Sequence, residues 1–255
     1  MTLTGFIGTV CMFPLRAIIA ACVALGIHPN VLTLVGVLIN IAAACALGVD
    51  RFLMAGVIMI VASIFDFIDG KVAHITNTVS RFGAFWDSTL DRFSDIVLFL
   101  GLIHLYSNAR RTDYVMVTAL AMMFTIMTSY ARARAESLIE KCKVGFMERP
   151  ERIVLFWIGA FTDRMAAVMW VILVLSIVTV ANRIHYTYLV LNSKPIPTGS
   201  NFLTALLWRA FFWRDERTTL PFDLWVIAIL AFIWLTPPDW LRDPTAAGLG
   251  IWGWW

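Results

Sequence analysis

Five aspartates, Asp66, Asp69, Asp87, Asp91 and Asp95, fall in one short stretch of a chain otherwise rich in apolar residues. At about 100° per residue on a helix, Asp66 and Asp69 share one face, and Asp87, Asp91 and Asp95 line one face of a following helix. If the two faces meet, several carboxylates within a few ångströms cannot all ionise without a compensating cation. Hard oxygen donors with no His or Cys partner point to Mg²⁺, Mn²⁺ or Ca²⁺. Four carboxylates suffice for two ions, and two ions about 3.5–4 Å apart form the clamp used for displacement at phosphorus. Gly70, directly after Asp69, and Gly83, four residues before Asp87, remove side chains where a ligand would approach the backbone, and Ala73 keeps the next turn small. The bland alternative makes Asp66 and Asp69 a helix-end turn and pairs Asp91 with Arg92 or Arg81.

The elements that must position these residues are built for lipid. The chain is 60% hydrophobic, its mean hydropathy is +0.80, and several apolar runs approach the ~20 residues that cross a bilayer. Residues 3–25 are interrupted by Pro14 and Arg16 and read as a helix along the interface. Spans follow at about 31–49, 52–75, 83–107, 114–140, 150–162 and 165–184, with the charged half of the fourth projecting into water or lining a cavity. A further apolar stretch, 220–236, is either a seventh span at the short limit of length or a re-entrant or interfacial helix. Tryptophans suit the headgroup level, both in the tail (Trp240, Trp252, Trp254, Trp255) and at Trp157, Trp170, Trp208 and Trp213. The fold expected is therefore all-α and integral to the cell membrane: a six-transmembrane-helix core, an N-terminal interfacial helix and one extra C-terminal apolar helix. The core domain is 1–190 and the extension 191–255. Cys11, Cys22, Cys45 and Cys142 show no paired spacing, which argues against disulfides and structural zinc.

With alternating spans, one side collects most of the basic residues and the other only Arg51, Arg110, Arg111, Arg164 and Arg242, which places the aspartates at the cytoplasmic side. A second cluster lies on that side. In SYARARAE, Arg132 and Arg134 point about 200° apart, so only one can face the aspartates; in ERPER, Arg149 and Arg152 can share a face. Guanidinium groups bind phosphate bidentately, so an inward cluster suits an acceptor that carries its own phosphate. Ordinary loop charge with Arg132–Glu136 and Glu148–Arg152 pairs explains the same residues. Arg183 either joins this pocket or snorkels to the interface. In His28-Pro29-Asn30, ahead of the first span and Thr33, Asn30 reads as the helix cap.

The pattern Asp66-x2-Asp69-Gly70-x2-Ala73-x9-Gly83-x3-Asp87-x3-Asp91 resembles the signature of the CDP-alcohol phosphotransferases. One position departs from it: His74 stands where that family usually has arginine, and His74, Lys71 or Arg81 is then the cation available to the diphosphate. The resemblance implies that Asp66, Asp69, Asp87 and Asp91 hold two divalent cations, Mg²⁺ or Mn²⁺, and that Asp91 is also the general base. It implies further that Gly70, Ala73, His74, Gly83 and Asp66 border the nucleotide diphosphate, and it offers Pro29-Asn30 as a motif near the nucleotide, the alternative to reading Asn30 as a helix cap. SYARARAE followed by GFMERPER resembles the branch that makes phosphatidylinositol phosphate, with Arg132 in place of a lysine. On that resemblance Arg132, Arg134, Arg149, Arg152 and Arg183 bind the acceptor phosphate. The implied partners are CDP-diacylglycerol, a phosphorylated polyol, membrane lipids and a second copy in a homodimer; no nucleic acid is expected. Glycerol 3-phosphate, serine or another alcohol are rival acceptors, and a divalent-cation transporter is the rival of another class.

Overall fold

A computed structural model describes residues 15–197, 201, 204, 208, 211–213, 220–243 and 245. Residues 3–14 of the expected interfacial helix, and Trp252, Trp254 and Trp255, lie outside the described residues. Among the described residues every regular element is helical. The helices are α1 (Leu15–Ala24), α2 (Pro29–Gly48), α3 (Phe52–Ile75), α4 (Arg81–Asn108), α5 (Thr112–Glu136), α6 (Arg149–Thr162), α7 (Met165–Leu191), α8 (Leu220–Leu235) and the single turn α9 (Pro238–Leu241).

By length and composition α2, α3, α5 and α7 can each cross a membrane. Helix α4 is long enough but carries Arg81, Asp87, Asp91, Arg92 and Asp95, while α6 has 14 residues. Helix α8 has 16 residues and is apolar but for Asp223 in its first turn. The turns between helices are short because their pivot residues adopt left-handed backbone: Asp50, Asn77, Arg110 and Asp163 have φ of 61°, 54°, 54° and 52°. Asp and Asn tolerate that region through their short polar side chains.

The chain forms two compact units, Met1–Gly101 and Leu102–Trp255. In the first, α2 and α3 pack closely because small residues face inward, with Ala43, Ala55 and Ala62 fully buried. A Cβ on Gly101 would run into the Ala44 backbone, so only glycine lets α4 approach α2 there. Helix α1 docks on this pair through Ile19 and Cys22, buried with Leu32, Ile68 and Val72.

In the second unit α7 is the central helix, with Met165, Ala166, Val168, Met169 and Ile172 fully buried. The connection from α5 to α6 folds under it. Gly145 has φ of +91°, and a Cβ there would stand 2.5 Å from Thr179 Cγ2, so glycine is required twice over. Cys142 is fully buried beside Ala135, Ile139 and Val144, and burial pushes its thiol above the usual range, as befits a packing residue. The C-terminal segment is stitched to this unit. Arg164 Nη1 donates to Thr236 O at 3.2 Å, Tyr114 OH to Leu241 O at 2.5 Å, and the Arg111 guanidinium to Arg242 O.

Candidate active site

The end of α3 and the start of α4 carry the site. Thr76 closes α3 by donating its hydroxyl to Val72 O at 2.8 Å, and Asn77 turns the chain. Ser80 then caps α4, its Oγ accepting from Gly83 N at 2.9 Å. A Cβ on Gly83 would sit 3.1 Å from that same oxygen, so the bare position keeps the cap and the adjoining space open.

Between these ends lies a cavity of about 160 Å³. Asp69, Gly70, Ala73 and His74 of α3 and Gly83 and Asp87 of α4 line it, together with Pro29, Asn30 and Thr33 of α2. His74, at the position of the expected arginine, stands on the wall. Nothing lies within 4 Å of a Cβ placed on Gly70, so any larger residue there would project into open space beside Asp69.

Asp69 is only 5% exposed, and Thr33 Oγ1 donates to its Oδ2 at 2.6 Å. Asp66 and Asp87 are its electrostatic neighbours. Asp66 is accommodated by Gly36 of α2, where a Cβ would stand 2.8 Å from Asp66 Oδ1. Asp91, one turn further along α4, is half-buried, with Oδ2 4.0 Å from Arg92 Nη1. Asp95 is buried deeper still. Asp69 and Asp87 thus share the cavity wall, whereas Asp66 and Asp91 do not line it. Among the described residues no three His, Cys, Asp or Glu side chains are arranged as a formed metal site. The chemistry of the donors nevertheless suits a hard divalent cation: the carboxylates around buried Asp69 offer oxygen alone.

Helix α2 supplies support that the spacing of the aspartates did not reveal. Thr33 holds Asp69, Gly36 makes room for Asp66, and Asn30 O accepts from Trp86 Nε1 at 3.2 Å, tying α4 to the start of α2. A signal exists in the sequence: Thr33, Gly36 and Asn40 recur at helical spacing as small or polar residues in an apolar run, and all three are buried. Asn30 is not the cap of α2. Pro29 occupies the first turn, and His28 precedes it as the cap, its Nδ1 accepting from Asn30 N at 3.2 Å.

The arginines belong to the second unit. Arg183 is 2% exposed and does not snorkel; it donates from Nε to Val144 O at 3.1 Å and from Nη1 to Thr128 O at 2.5 Å. Glu148, the N-cap residue of α6, gathers the others. Its Oε1 accepts from Arg132 Nη1 at 2.9 Å and lies 3.6 Å from Arg183 Nη2. Arg132 also makes the expected pair with Glu136, at 3.0 Å. Arg152 is buried within the field of Arg183. Arg134 points elsewhere, exposed and bonded to Ser137 of its own helix end, as its 200° offset from Arg132 demands. Arg149, half-buried, opens α6.

Apolar helices that bury carboxylates around a glycine-floored cavity define a membrane enzyme of metal-assisted phosphoryl chemistry. The model of the CDP-alcohol phosphatidyltransferase family matches residues 26–190, and the chain belongs to that family. It is 34% identical over 173 residues to the archaetidylinositol phosphate synthase of Pyrococcus horikoshii, covering 68% of this chain and 89% of that one. It is 32% identical over 171 residues to the phosphatidylinositol phosphate synthase of Mycobacterium tuberculosis, covering 63% of this chain and 79% of that one. The crystal structure of that mycobacterial synthase with CDP-DAG bound superposes with a TM-score of 0.65 at 28% identity, covering 68% of this chain and 93% of the other. A second structure of it, in complex with manganese and citrate, gives the same TM-score and covers 88% of that chain.

Proposed function

We propose that this chain transfers the phosphatidyl group of CDP-diacylglycerol to a hydroxyl of an inositol phosphate and releases CMP. The observation that carries the reading is the shared cavity, where Asp69, Gly70, Ala73, His74, Gly83 and Asp87 meet at the ends of two helices. Asp66, Asp69, Asp87 and Asp91 would hold two divalent cations, Mg²⁺ or Mn²⁺, which when bound supply fixed positive charge to the diphosphate. Gly70 and Gly83 leave the backbone accessible to the diphosphate, and His74 takes the place of the arginine. Asp91 accepts the proton of the acceptor hydroxyl. The acceptor oxygen forms the new bond to the lipid-bearing phosphorus, the bond from that phosphorus to the bridging oxygen breaks, and CMP leaves with the electron pair. Arg132, Arg152 and Arg183, with Arg149 at the start of α6, receive the phosphate of the acceptor. The finer architecture proposed is a six-helix crossing from α2 to α7, with α1 along the interface, the site open to the cytoplasm and two copies forming a homodimer. Residues 1–190 form the catalytic domain, and 191–255 a stabilising extension.

The test is CMP release by purified protein in lipid, with CDP-diacylglycerol and one acceptor at a time. Inositol phosphate should support turnover, and Asp91→Asn should insert and fold normally yet lose it. Use of glycerol 3-phosphate or serine in place of inositol phosphate overturns the acceptor assignment. Wild-type turnover by Asp91→Asn overturns the base assignment.

A further inference from the structure

Helix α3 has two working faces. Asp69 and Ala73 share one, which lines the aspartate cavity; Lys71 and Ile75 share another, turned about 200° away from Asp69. This second face closes a groove of about 500 Å³ against α1, whose wall is Arg16, Ile19 and Val23 with two alanines, and the groove shares no residue with the cavity. The α1 wall is held in place, because Ile19 and Cys22 are buried against Leu32, Ile68 and Val72. The lining is aliphatic apart from Arg16 and Lys71, and it contains no acidic residue. Lys71 lays its stem along the helix with its ammonium over the Phe67 ring, 5.5 Å from the centroid, which keeps the charge at the polar rim of an apolar slot. An aliphatic slot rimmed by two cations, at the end of a helix long and apolar enough to cross a bilayer, is complementary to an acyl chain joined to an anionic headgroup.

We propose that this groove binds one anionic phospholipid of the surrounding leaflet. Its phosphodiester lies between Arg16 and Lys71, and an acyl chain runs along Ile19, Val23 and Ile75. The site is separate from the cavity that receives the nucleotide, and it pins α1 to the end of α3. It does not depend on which acceptor the enzyme uses.

The experiment uses the full chain in phosphatidylcholine nanodiscs containing a minor fraction of phosphatidylglycerol, without nucleotide, and counts retained lipids by native mass spectrometry. Wild type should retain a single phosphatidylglycerol in preference to phosphatidylcholine. Arg16→Gln and Lys71→Gln should each cut that preference by about fivefold at low salt and less at high salt, and Arg16→Lys should restore it. Excess CDP-diacylglycerol should leave the phosphatidylglycerol in place. Equal retention of the two lipids by wild type, unchanged preference in both glutamine variants, or stoichiometric displacement by CDP-diacylglycerol each overturns the proposal, the last by assigning the groove to the substrate.

Discussion

Replacing Thr33 by valine tests whether Asp69 works as a charged ligand. Valine keeps the shape of threonine and deletes the hydroxyl that donates to Asp69 Oδ2 at 2.6 Å, in a setting where both residues are buried. A hydrogen bond to an ionised group contributes about 1.5–3 kcal/mol, which corresponds to a factor of roughly 10–150 in an equilibrium constant. Loss of a group that orients a metal ligand costs about 10–100-fold in metal affinity. The concentration of Mg²⁺ or Mn²⁺ giving half-maximal CMP release should therefore rise about 10–100-fold in Thr33→Val, with turnover recovering at saturating metal. Thr33→Ser, which retains the donor, should stay close to wild type. The same ions should raise the melting temperature of wild type at concentrations that leave Thr33→Val unmoved. An unaltered metal dependence in a well-folded Thr33→Val, by both readouts, would refute the claim that this hydroxyl holds a charged ligand.

Three further outcomes follow from the packing. Gly36→Ala places a Cβ 2.8 Å from Asp66 Oδ1; overpacking of this kind costs about 1–3 kcal/mol, and displacing Asp66 should lower kcat/KM at least about tenfold while circular dichroism still reports a helical protein. Arg183→Lys keeps the charge but cannot reproduce donation to both Thr128 O and Val144 O. It should raise KM for the acceptor and leave KM for CDP-diacylglycerol near wild type, and a proportional rise in both would point to general unfolding instead. Truncation after Asn192 removes the partners of Arg164, Tyr114 and Arg111. At about 1 kcal/mol for each lost bond, the melting temperature in lipid or detergent should fall by on the order of 6–12 °C, and an unchanged value would show the extension to be dispensable to the fold.

Helices bounded by charge were legible. The second span, closed by Asp50 and Arg51 at one end and by polar TNTVS at the other, coincides with Phe52–Ile75. Where polarity changes without a helix breaker, hydropathy and helix part company: α7 continues past Arg183 through His185, Tyr186 and Tyr188 to Leu191, because those residues leave lipid but not the helix. Helix α5 stops at Glu136 because Ser137 Oγ donates to Arg134 O at 2.7 Å, a local competition with the backbone that hydropathy does not register. The divergence of Arg132 and Arg134 followed from a 3.6-residue period, and so did the placing of Asp69 and Asp87 toward one cavity, which Asp66 and Asp91 do not line. Gly36 did not, since its meaning depends on which helix lies against it. Nor did the left-handed pivot at Arg110, where the residue type gives no warning.

Glu148 shows what local backbone adds to a spacing rule. Read along a helix, Glu148 and Arg152 form an i, i+4 pair. In the structure Glu148 is the residue before the helix, with φ −96° and ψ 175°, and Pro150 fixes the first turn behind it. Extended backbone throws its side chain across the unit, to Arg132 on α5 and Arg183 on α7. Burying Arg183 to 2% exposure requires a nearby anion, and Glu148 supplies it while Thr128 O and Val144 O accept two of its donors. Arg132 and Arg152 also act on Arg183 as like charges, and the Glu148 carboxylate opposes them. Glu148 thus holds Arg132 of α5 and Arg183 of α7 beside one another, and on the reading proposed above these guanidinium groups are what a phosphorylated acceptor would meet.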